Sequence, residues 1–94
     1  MTDSNSEDDA KLNAENHEKC VNRFLELANS MKDEGLAPGV VSHALMSASG
    51  VYATYAIAGN VNGLNQAGVE KLAALYQHSL ENIQRSKKEQ SREA

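Results

Sequence analysis

Ninety-four residues hold one domain-sized core at most, and a composition that is 40% hydrophobic and 23% charged belongs to folded rather than disordered chains. A net charge of −4 excludes a general nucleic-acid binder, which needs a positive field against phosphate, and gives no basis for attraction to an anionic membrane. The lone Cys20 excludes an intrachain disulfide, and an acid-rich start without an apolar run is no secretory signal, so a cytoplasmic address is expected.

Charge comes in blocks. No Asp, Glu, Lys or Arg lies between Glu34 and Glu70, while residues 1–34 carry nine acids against four bases and residues 70–94 four acids against five bases. Residues 1–8 have no periodic apolar face and are expected to form a disordered acidic arm. A first helix is predicted over 9–34. Ser6 and Asp9 resemble a capping box, and Ala14, His17, Val21, Phe24, Ala28 and Met31 recur at three- and four-residue spacing, with Cys20, Leu25 and Leu27 widening the stripe. Cys20 is therefore expected to be a buried thiol that reacts slowly. Gly35 supplies the left-handed residue that ends a helix.

A second helix is predicted over 38–59, with Pro38 as its first residue and Leu36 and Val41 spaced as a hydrophobic staple. Its run from Val40 to Ala58 is uncharged, which raises a membrane span; His43, the serines and threonines and two tyrosines make it too polar, and no basic flank precedes it. Val40, Val41, Ala44, Leu45, Ala48, Val51, Tyr52, Tyr55 and Ala56 cover nearly half of the helix, the half expected to pack on its neighbours. The other half lacks the Lys and Glu of an ordinary solvated face and places Gly50 inside a helix, at about 1 kcal/mol relative to alanine. Close approach of a second copy would offset that. Met46, Ser49, Gly50, Ala53 and Ile57 form the expected self-association face, against the alternative that the first and third helices wrap over it.

A third helix is predicted over 65–84, where Val69, Leu72, Leu75, Tyr76, Leu80 and Ile83 share a face; residues 85–94 follow as a charged helical extension or tail. The expected fold is all-α: an antiparallel up-down-up three-helix bundle over 9–84, since helices joined by short connections pack as antiparallel neighbours.

Chemistry is sparse. Glu15 with Glu18, and His78 with Glu81, place two metal ligands on one helical turn, yet neither pair lies on an apolar face and the order differs from that of di-iron bundles. His17 reads as a boundary residue with a wet tip, and nothing near His43 in sequence supports a ligand. No glycine-rich phosphate loop is present, and Glu89 interrupts the short basic run of 85–92. No catalytic residue, cofactor site or metal site is expected.

The run Phe24-Leu25-Glu26-Leu27-Ala28-Asn29, then Val40-Val41-Ser42-His43-Ala44-Leu45-Met46 with Ala48 a turn later, and finally Tyr76 with Leu80-Glu81-Asn82, resembles a small bacterial all-helical family catalogued as a domain of unknown function. The resemblance covers residues 20–84 and implies a compact cytoplasmic helical protein, with no catalytic or binding residues to carry over. The expected function is a non-catalytic interaction module, a homodimer formed through the second helix, with an unidentified protein as a further partner. The alternatives are an acidic adaptor or inhibitor that occupies a basic surface, and a bundle that binds a small molecule or metal.

Overall fold

The computed structural model describes residues 2–58 and 63–93, with the side chains of residues 2–6, 57–58 and 92–93 outside that description. The chain is all-α. It forms α1 (Thr2–Asp33), α2 (Pro38–Ala58) and α3 (Gln66–Glu93) in that order. It divides into two compact units, Met1–Gly50 and Val51–Ala94, so that α2 contributes to both. The sequence had suggested one domain over 9–84. The division falls inside α2 because its first thirteen residues belong with α1 and its last eight with α3.

In the first unit α1 begins at Thr2, seven residues before the expected start. The residues assigned to a disordered acidic arm are helical from Thr2 onward, and Ser6 and Asp9 lie inside the helix rather than capping it. Glu7, Asp8 and Asp9 lie within its first two turns, toward the positive end of the helix dipole.

The end of α1 follows from Gly35. Its φ of 104° is left-handed backbone, and two hydrogen bonds close the helix around it: the Gly35 N–H donates to the Lys32 carbonyl at 2.9 Å and the Leu36 N–H to the Met31 carbonyl at 3.2 Å. This pair is the Schellman arrangement, which satisfies carbonyls that the helix end leaves open. The chain re-enters helix at Pro38, and the Val41 N–H donates to the Ala37 carbonyl at 3.1 Å as the first bond of α2. Val41, 8% exposed, is the one buried residue among those described. It lies where the last turns of α1, Ala28, Asn29 and Lys32, meet the first of α2, Pro38, Ser42 and Leu45.

In the second unit α3 starts with a side-chain cap. The Asn65 Oδ1 accepts a hydrogen bond from the Gly68 N–H at 2.8 Å, and the Asn65 carbonyl accepts from the Val69 N–H at 3.0 Å. Gly63, with φ of 82°, precedes it. Half-buried residues here are Ala53 and Thr54 of α2, then Gly63, Leu64, Gly68 and Leu72. α3 runs on as helix to Glu93, so the charged tail is an extension of the helix. Among the described residues no helix is long and apolar enough to cross a membrane.

Candidate self-association surface

The second helix was expected to bury one half and keep the other for a second copy. The structure distributes its faces differently. In the first unit Val41 is buried, while Val40 beside it is exposed. In the second unit Val51 and Tyr52 are 70% and 77% exposed and Tyr55 is exposed, although all three belong to the half expected to face inward. Ala53 and Thr54, from the opposite half, are the half-buried residues of that stretch. The physical reason is size. Small side chains let a neighbouring helix approach, whereas two tyrosines pack only where there is room and where a hydroxyl can stay wet.

The five residues named for self-association are thus not equivalent. Met46, Ser49 and Gly50 are exposed, and a Cβ built on Gly50 meets no atom within 4 Å. Ala53 is half-buried, and the Ile57 side chain lies outside the described residues. Sequence reasoning missed Val40, Val51, Tyr52 and Tyr55 as surface. Nothing in the helical period says which of two uncharged faces will be covered.

The helices on either side also carry open apolar faces. On α1 the stripe was expected to be covered along its length, yet only Ala28 and Met31 of it are half-buried. Val21, Phe24, Leu25 and Leu27 are exposed, and so is Cys20, which overturns the expectation of a buried thiol. Length explains the difference. α1 has 32 residues, about 48 Å at 1.5 Å each, whereas the part of α2 in its unit, residues 38–50, spans only about 20 Å. On α3, Val69, Leu75, Tyr76, Leu80 and Ile83 are exposed and Leu72 is half-buried.

The polar side of α3 is held by its own contacts. The Gln77 Nε2 donates to the Glu81 Oε2 at 3.3 Å and the Arg85 Nη1 to the Asn82 Oδ1 at 3.0 Å. A hollow beside these contacts is lined by Gln77, Leu80, Glu81, Gln84, Arg85 and Lys88, all from this one helix. His17, His43 and His78 are exposed, and among the described residues no group of three or more His, Cys, Asp or Glu is placed to hold a metal ion.

No family model, curated protein or solved structure matches the chain.

Proposed function

We propose that this protein is a non-catalytic interaction module that self-associates, with α2 as a helix shared between copies. One observation carries the reading: α2 has no charged residue from end to end, and its large apolar side chains Val40, Val51, Tyr52 and Tyr55 point to solvent in the single chain. Helices that are apolar around most of their circumference are ordinarily buried, and exposed apolar patches on soluble chains mark contact with another chain. Met46, Ser49 and Gly50 extend the open surface to the other side of the helix.

Gly50→Glu tests the proposal. Because a Cβ at this position meets no atom within 4 Å, the substitution fits the single chain, and glutamate is the better helix former by roughly half a kcal/mol. At an interface between copies it would bury an unpaired carboxylate, which costs several kcal/mol. The two effects have opposite signs. Light scattering coupled to size-exclusion chromatography is expected to give a dimer for the parent chain and a helical monomer for the variant. A parent chain that is monomeric at every concentration overturns the proposal. A variant that remains dimeric moves the contact off this side of α2.

A further inference from the structure

We draw no further inference here: the strongest candidate, the open apolar faces of α1 around Val21, Phe24 and Leu27 and of α3 around Val69, Tyr76 and Ile83, carries nothing because nothing in the structure shows what covers them.

Discussion

Asn65 carries a larger share of the architecture than its place in a polar turn implies. Its carboxamide oxygen holds the Gly68 N–H at 2.8 Å, one of the donors that the first turn of α3 cannot satisfy internally. Asn65→Ala removes the acceptor and nothing apolar, so it is expected to cost about 1 kcal/mol in urea unfolding with an unchanged dependence on denaturant. A midpoint that does not move would mean that water replaces the cap without loss. Sequence put this start at 65, one residue before the observed Gln66, although Asn60 and Asn62 have the same cap chemistry. Gly35 and Pro38 had no such competitors, and both took the positions their chemistry demands. Cys20 shows the opposite case: its neighbours at helical spacing are apolar, but a stripe says only which residues share a face, and Cys20 is exposed.

For whole helices the same distinction recurs. Apolar period located all three, and charge bracketed the middle one, but the ends of α1 and α3 lie well beyond their apolar runs. Acids near the start of α1 and bases near the end of α3 extend both helices, since each sign suits its end of the dipole. The covered side of α2 was illegible for a different reason. With no charged residue on either side, only the fit of Ala53 and Thr54 against a neighbour, and the bulk of Tyr52 and Tyr55, decide it, and fit is a property of pairs of helices. On α1 the odd residue in the apolar repeat is His17, which is exposed. If this stripe takes part in self-association, a polar group within it weakens the contact. His17→Leu is then expected to tighten the dimer at least tenfold, the equivalent of about 1.4 kcal/mol and slightly below the about 1.5–3 kcal/mol for fully burying one leucine side chain. Sedimentation over a dilution series measures it. An unchanged dissociation constant would place this face in solvent in the dimer too.

Across the whole chain the balance of apolar surface sets the last expectation. Among the described residues Val41 alone is buried, while large hydrophobics on all three helices are exposed. Hydrophobic burial is the dominant favourable term in folding, and one chain of 94 residues with so little of it has little to set against the entropy of ordering three helices. Contacts between copies would supply the remainder, and stability gained that way depends on concentration, because unfolding a dimer releases two chains. For two chains of 94 residues the unfolding entropy scales to about 0.4 kcal/mol per kelvin, against about 1.4 kcal/mol for each tenfold change in concentration. The melting temperature of the parent chain is therefore expected to fall by about 3–4 °C for every tenfold dilution and by about 7 °C over a hundredfold. Circular dichroism at 222 nm follows it directly, with path length adjusted to keep the signal constant. Gly50→Glu is expected to flatten the dependence, since its dimer is lost before the melt begins. A parent chain whose melting temperature holds across the hundredfold range would place all of its stability within one copy, and the open faces of α1, α2 and α3 would then have no part in holding the fold.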